Sequence, residues 1–193
     1  NDIRPNIHGD ILHSRPAVVN YGSKGIMVYY GANDGMLHAI KGGQDPTDPS
    51  ESGFEKWTFI PPDLFASMNL LREGWPSGTD VTTVKRAYFV DGPIGVLREP
   101  ETEEATTVHL FLGLRRGGRS LYAIDASNTL DSTNATPKFL WNVYCNASGC
   151  TRCAASSCSS DEKYLELGQT WSLPSSAKIQ FGGATKTVLI FNI

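Results

Sequence analysis

The chain has 193 residues, of which 40% are hydrophobic and 19% charged, and its formal net charge is −3 at pH 7. This length and composition suit one or two globular domains with a sizeable core and exclude a disordered chain. No basic stripe of the kind that binds nucleic acid appears, and no run approaches the roughly 20 apolar residues that span a membrane. The chain begins at Asn1 and not at Met, so we expect a mature or excised segment.

The first part of the chain predicts a group of four short strands. Residues 13–19 hold Pro16 in an apolar run and form the first strand. Residues 26–40 place two apolar runs around Asn33-Asp34-Gly35, which is the turn chemistry of a β-hairpin. A further strand then leads to Trp57.

An insertion at about 63–85 separates this group from the next. It follows Pro61-Pro62, which can open a helix at its first turn, and residues 63–71 have helical periodicity. We expect a short helical connector that packs on the edge of the strands.

A second copy of the same pattern follows the insertion. Residues 90–96 repeat the Pro-bearing strand, and residues 108–124 repeat the hairpin around Arg116-Gly117-Gly118. Ala39 and Ala123 are 84 positions apart, as are Trp57 and Trp141, because 123 − 39 and 141 − 57 give the same number. A third start, at residues 168–174 and 187–191, follows.

Four antiparallel strands per repeat form the blade of a β-propeller. We therefore predict an all-β fold, a partial β-propeller of about two four-stranded blades and the start of a third, with a short helical insertion. The predicted boundaries are blade 1 at about 10–62, the insertion at about 63–85, blade 2 at about 86–144, a Cys-rich loop at 145–160 and the start of blade 3 at about 165–193. Because two and a half blades cannot close a ring, we expect the rest of the propeller or another chain to cover the open blade. The surfaces concerned are 16–19, 179–181 and 188–193.

The four cysteines, Cys145, Cys150, Cys153 and Cys158, lie in one Ser-rich stretch. Zinc or an iron–sulfur cluster is one interpretation, but the stretch has a single Cys-x-x-Cys knuckle, and its last cysteine follows too closely for a ferredoxin pattern. Two disulfides in an oxidising compartment are favoured. We expect nested pairing, Cys145 to Cys158 over Cys150 to Cys153, in preference to sequential pairing.

Several ordered motifs carry a family resemblance. They are Gly9 to Pro16, Tyr30 to Ala39, Trp57 to Pro62, Phe89 to Gly92, Gly113 to Asp125 and Leu167 to Ser172. Together they resemble, in order, the C-terminal propeller domain of the PilY-type (PilC-type) type IV pilus tip and assembly proteins. We expect the residues that carry the blade pattern to be structural. They are Pro16, Gly31, Asn33, Asp34, Gly35, Leu37, Ala39, Trp57, Gly113, Gly117, Gly118, Leu121, Tyr122, Ala123, Asp125, Trp141 and Trp171.

The resemblance implies a non-enzymatic module that acts in pilus assembly and in attachment to a host or other surface. It implies pilus subunits as partners, a location at the cell surface and export through the periplasm. It also implies calcium in a later Asp-rich loop of the family's domain, outside this segment, so we expect no cofactor or metal here. A quinoprotein-like propeller enzyme and a structural subunit of an extracellular filament remain alternatives.

Catalytic motifs are absent from the sequence. It has no Gly-x-Ser-x-Gly elbow, no Walker loop and no Gly-x-Gly-x-x-Gly fingerprint. We expect no catalytic residue among the four histidines, His8, His13, His38 and His109. We expect Asp34 to bond its own turn in preference to calcium. We expect the arginines at 115, 116 and 119 to be solvated in preference to binding an anionic partner. For the tryptophans at 57, 141 and 171 we expect packing between blades in preference to sugar stacking.

Overall fold

The strands of this chain form three antiparallel sheets that follow one another in sequence. A computed structural model describes residues 9–43, 53–72, 87–101, 106–131, 135–154 and 156–192. In the described part, the sheets have four, six and two strands. This is the predicted all-β, open and partial propeller.

The first sheet contains β1 (Ala17–Asn20), β2 (Ile26–Gly31), β3 (Leu37–Gly42) and β4 (Glu55–Phe59), paired in that order. Along β2, buried and half-buried side chains alternate, as expected for a strand with one face on the core.

The insertion begins as a helix, as its prolines predict. A 3-10 turn at Pro62–Ser67 has Pro62 at its first position and leads into the short helix α1 (Met68–Arg72). Leu64 is buried, and Met68 and Leu71 pack against the core between the sheets. Residues 73–85 of the predicted insertion lie outside the described residues.

The second sheet is larger than predicted. It comprises β5 (Ile94–Glu99), β6 (Thr107–Gly113), β7 (Ser120–Asp125), β8 (Lys138–Asn146), β9 (Gly149–Ala154) and β10 (Ser157–Ser160). The segment 145–160, predicted to be a loop, instead adds β9 and β10 to the outer edge of β8. The prediction was wrong because these small polar residues have no strand pattern of their own. They form strands because their backbone hydrogen-bonds to a neighbouring edge strand.

The third sheet is a single hairpin. β11 (Ser175–Phe181) and β12 (Ala184–Ile190) pair over their whole length around Gly182-Gly183. Most of its side chains are exposed. Residue 193 of the predicted third blade lies outside the described residues.

The repeat is visible in the strand registers. Ala39 lies opposite Trp57, Ala123 lies opposite Trp141, and the strand register shifts directly after each alanine. The hairpins around Asn33 to Gly35 and around Arg116 to Gly118 are the second and third strands of their sheets, as the repeat predicts.

The first two sheets share one hydrophobic core, which holds them as neighbours. Met27 and Tyr29 of β2 and Leu110 and Leu112 of β6 belong to the same buried cluster. The Tyr29 hydroxyl donates to Thr129 Oγ1 at 3.1 Å, across the boundary between the sheets. The buried Tyr29 hydroxyl at this boundary is therefore hydrogen-bonded, and the Tyr29 ring is packed in the shared core.

Candidate functional site

The innermost strands of the three sheets meet around an open groove. β1, β5 and β11 line it, and its volume is about 410 Å³. Gly95 lies so close to the residue before β11 that a Cβ at Gly95 would be 2.1 Å from the Pro174 carbonyl oxygen. The groove is lined by Ala17, Val18, Ile94, Gly95, Val96, Leu173, Pro174, Ser175 and Ser176. None of these side chains is an ordinary acid, base or metal ligand at neutral pH, so this groove offers binding area and no acid–base chemistry.

Polar and aromatic side chains gather instead at one end of the sheets. The turns after β2 and β6 lie at this end, as do the segments that lead into β5 and β11, because successive strands are antiparallel. We call this end the turn face. It carries His13, Tyr88, Arg115, Arg116 and Trp171, whose mutual contacts confirm that the segments meet there.

The turn between β6 and β7 is held tightly in place. Arg115 has φ 53°, a left-handed conformation that is uncommon for a residue with a side chain. Its N–H donates to Thr170 Oγ1 at 3.3 Å. Gly117 packs against the chain before β5, where a Cβ would lie 1.7 Å from the Phe89 carbonyl oxygen. Only glycine fits at this position.

Two arginine side chains of this turn stack on aromatic rings. The guanidinium carbon of Arg115 lies 4.6 Å from the centre of the Trp171 ring. That of Arg116 lies 5.6 Å from the same ring and 5.1 Å from the Tyr88 ring. Arg116 Nη1 also donates to the Tyr88 hydroxyl at 2.9 Å. We call these four residues the Arg–aromatic patch.

A histidine and an aspartate from different blades pair beside this patch. His13 Nδ1 lies 2.9 Å from Asp91 Oδ2 and 3.0 Å from Oδ1. The Asp91 side chain is fully buried, whereas His13 is 30% exposed. The pair ties the segment before β1 to the segment before β5, and no local sequence pattern predicts it because the two residues are 78 positions apart.

Both ring nitrogens of a second histidine, His38, lie within hydrogen-bond distance of carboxylates. His38 Nδ1 lies 2.6 Å from Glu55 Oε1, and Nε2 lies 3.1 Å from Asp34 Oδ2. Burial lowers the pKa of His38, but the hydrogen bonds to the two carboxylates outweigh it, and the pKa is raised overall. With both ring nitrogens in use, His38 has no free atom for general base catalysis.

The Asp34 carboxylate accepts hydrogen bonds from backbone N–H groups. Its Oδ1 accepts from the Met36 N–H and its Oδ2 from the Gly9 N–H. Burial raises the pKa of Asp34, but the His38 and backbone hydrogen bonds outweigh it, so the pKa is lowered overall. Donors thus occupy the oxygens that calcium would need.

The cysteines form two disulfides, and their pairing is sequential. Cys145 bonds Cys150, and Cys153 bonds Cys158. The nested pairing expected from the sequence is wrong, because the antiparallel registers place each cysteine directly opposite its sequential partner. All four sulfurs are oxidised, so none is a thiolate for a metal. In the described part of the chain, no group of three His, Cys, Asp or Glu side chains could hold a metal ion.

The three tryptophans expected to pack between blades have different surroundings. Trp57 is buried, and Trp141 lies 6.4 Å from the Phe111 ring in the second sheet. Trp171 is 44% exposed. It precedes β11 in the connecting segment, whereas the other two lie in β4 and β8, the fourth strand of each repeat. Packing between blades therefore does not describe Trp171.

Of the three arginines that the sequence predicts to be solvated, Arg116 is exposed, but Arg115 and Arg119 are only half-exposed. Arg119 donates from Nε to the Leu167 carbonyl oxygen at 2.6 Å and from Nη2 to that of Leu165 at 3.2 Å. It holds the chain that leads to β11, whereas Arg115 and Arg116 face the aromatic rings. His8 lies outside the described residues. None of the helices in the described ranges has the length and apolar character that a membrane span needs.

Comparison with known proteins places the chain in a family. The family model described as the PilY1 beta-propeller domain matches residues 17–189. The type IV pilus biogenesis factor PilY1 of Pseudomonas aeruginosa strain UCBPP-PA14 is 29% identical over an aligned length of 203, and the match covers 93% of this chain. The PilY1 proteins of strains PAO1 and PAK are each 30% identical over an aligned length of 165, and the match covers 72% of this chain.

The chain spans only 12% to 14% of the length of these relatives. No solved structure matches it. Because the family model matches most of the chain and the fold is the expected open propeller, this chain belongs to the PilY1 β-propeller domain family.

Proposed function

We propose that this chain is a non-enzymatic module of a type IV pilus biogenesis protein, acting in pilus assembly and surface attachment. The family match over residues 17–189 carries the proposal, since the curated relatives are type IV pilus biogenesis factors. The sites described above support the non-enzymatic part. The groove of the inner strands lacks ionisable side chains, and both nitrogens of the buried His38 are bonded to carboxylates.

We propose the cell surface as the location, reached through the periplasm. The two disulfides support it, because disulfides form and persist in oxidising compartments and are rare in the cytosol. We also propose that this segment works without a cofactor, and that any calcium of the family's domain is held elsewhere. Calcium titration followed by calorimetry should give no heat of binding, and a stoichiometric heat would contradict this part.

The open blades are proposed to be covered by the rest of the propeller or by another chain. Val18 is 66% exposed and Phe181 is 64% exposed, which is unusual for large apolar side chains on strands. The outer edge of β12 has no strand partner in the described part of the chain. An unpaired edge of seven residues invites the addition of a further strand.

Complementation in a strain that lacks the full-length protein tests the function. Leu112 is fully buried in the core between the two sheets, so Leu112→Asp should unfold this domain. Arg152→Gln, which changes an exposed side chain on β9, is the control. We expect the wild type and the control to restore surface pilin and attachment, and Leu112→Asp to restore neither.

Protein levels are followed by immunoblotting in the same cells. Full restoration by the Leu112→Asp protein would contradict the proposal. If cells with the Leu112→Asp protein showed normal surface pilin but did not attach, the role in assembly would be contradicted and the role in attachment would stand.

A further inference from the structure

The Arg–aromatic patch contains cationic groups that the described fold leaves without anionic partners. The guanidinium of an arginine has five N–H donors. In the described part of the chain, no acceptor takes a hydrogen bond from the Arg115 side chain, and its buried Nε has no partner. Arg116 donates to the Tyr88 hydroxyl alone, and neither arginine forms an ion pair with a carboxylate among these residues.

Arg119, four residues along the same turn, shows what a structural arginine does here. Its donors go to two main-chain carbonyls, and it ties β7 to the segment before β11. The side chains of Arg115 and Arg116 fix no backbone in this way. Their positions are instead set by the turn itself, through the Thr170 hydroxyl and the close approach of Gly117 to Phe89.

This geometry resembles the energetic centre of a protein interface. Such centres are enriched in Trp, Tyr and Arg, held rigid before the partner arrives. Here Trp171 is 44% exposed and Arg116 is exposed, so a partner can reach both. Guanidinium groups with free donors pair best with carboxylates, which they bind with two parallel hydrogen bonds.

We infer that the Arg–aromatic patch is a docking site for an acidic segment of a partner protein. Charge complementarity selects this occupant, because two guanidinium groups without counter-charges among the described residues have their carbons 4.6 Å and 5.6 Å from the centre of the Trp171 ring. A sugar is a poorer occupant, since the guanidinium groups take up ring surface on which a pyranose would stack. Nucleic acid is also poorer, because the chain has a net charge of −3 and no basic stripe. The inference adds a site and a partner chemistry to the proposed function.

A binding experiment with the full 193-residue chain, disulfides intact, tests the inference. The probe is a fluorescein-labelled peptide of alternating Glu and Gly, and the matched control peptide replaces every Glu by Gln. Fluorescence anisotropy should show binding of the Glu peptide that weakens with salt, and the Gln peptide should not bind. Arg115→Gln and Arg116→Gln should each weaken binding about tenfold or more, and Arg152→Gln should leave it unchanged.

Arg115→Gly separates a binding role from a structural one. Because φ is 53° at this position, glycine fits the backbone at least as well as arginine does. We expect an unchanged or higher melting temperature together with loss of peptide binding. A lower melting temperature would indicate that Arg115 is structural and would overturn its assignment to the site.

Other outcomes would also overturn the inference. They are no binding of the Glu peptide to the wild type, equal binding of the Gln peptide, and an equal loss in Arg152→Gln. Full competition by inorganic phosphate at low millimolar concentration would assign the patch to small anions. Because this assay does not involve pili, its failure leaves the proposed function standing, and failed complementation leaves the binding result standing.

Discussion

The two disulfides should contribute unequally to stability, although they close loops of the same size. Each joins cysteines five positions apart, so the loss of loop entropy in the unfolded chain is the same, about 2 kcal/mol at 25 °C. Their surroundings differ. Cys145 and Cys150 are 9% and 5% exposed and pack with Val143 and Leu167, whereas Cys158 is exposed.

Replacing the buried pair by alanine removes two sulfur atoms from this cluster, at about 1 kcal/mol each. The expected loss in the free energy of unfolding is therefore about 4 kcal/mol for Cys145→Ala/Cys150→Ala, against about 2 kcal/mol for Cys153→Ala/Cys158→Ala. Urea unfolding followed by tryptophan fluorescence measures both, with equal m-values as the check on two-state behaviour. If Cys153→Ala/Cys158→Ala lowered the free energy of unfolding as much as Cys145→Ala/Cys150→Ala, or more, the reasoning would be refuted.

Two further predictions concern His38 and the turn after β6. Because the pKa of His38 is raised above its ordinary value of 6.5, its stabilising contribution is fully present below about pH 6.5 and is lost as the pH rises through the folded-state pKa. The difference in unfolding free energy between the wild type and His38→Gln should therefore shrink above pH 6.5, and a difference that stays constant up to pH 9 would contradict the assignment. Gly117→Ala should destabilise the chain by about 3 kcal/mol, because its Cβ would overlap the Phe89 carbonyl oxygen. Gly118→Ala is the matched control, since its Cβ would meet the flexible end of Leu114 at 3.3 Å; equal melting temperatures for the two variants would refute the contact.

The sequence predicts those parts of the fold whose signals are local. The hairpins follow from turn residues between apolar runs, and the spacing of Ala39 to Ala123 and of Trp57 to Trp141 is reproduced by the strand registers. A local signal is also enough for the helical start of the insertion, where Pro62 occupies the first position of the 3-10 turn.

Features that depend on neighbouring strands were missed. The cysteine segment has no apolar alternation, and β8 supplies the edge that makes β9 a strand. Once β9 and β10 form, the register decides the pairing of the disulfides. The nested prediction failed for this reason, since spacing alone does not contain the register.

The turn face was also only partly predictable. Arg115 and Arg116 stand out as a cluster in the sequence, but the rings that they contact do not. Tyr88 is 28 positions from Arg116, and the contact arises because the antiparallel pairing of β5 with β6 brings the segment before β5 beside the turn after β6. The exposed Trp171 was grouped with Trp57 and Trp141 by residue type, although it lies in a connecting segment.

Hydrogen exchange at β12 tests the central claim most directly, namely that the chain is an open part of a larger propeller. It should be measured by mass spectrometry on the 193-residue chain alone and on the full-length protein. We expect the amides on the outer edge of β12 to exchange rapidly in the chain alone and slowly in the full-length protein, where an added strand pairs with this edge. Equally rapid exchange of these amides in both proteins would contradict the claim.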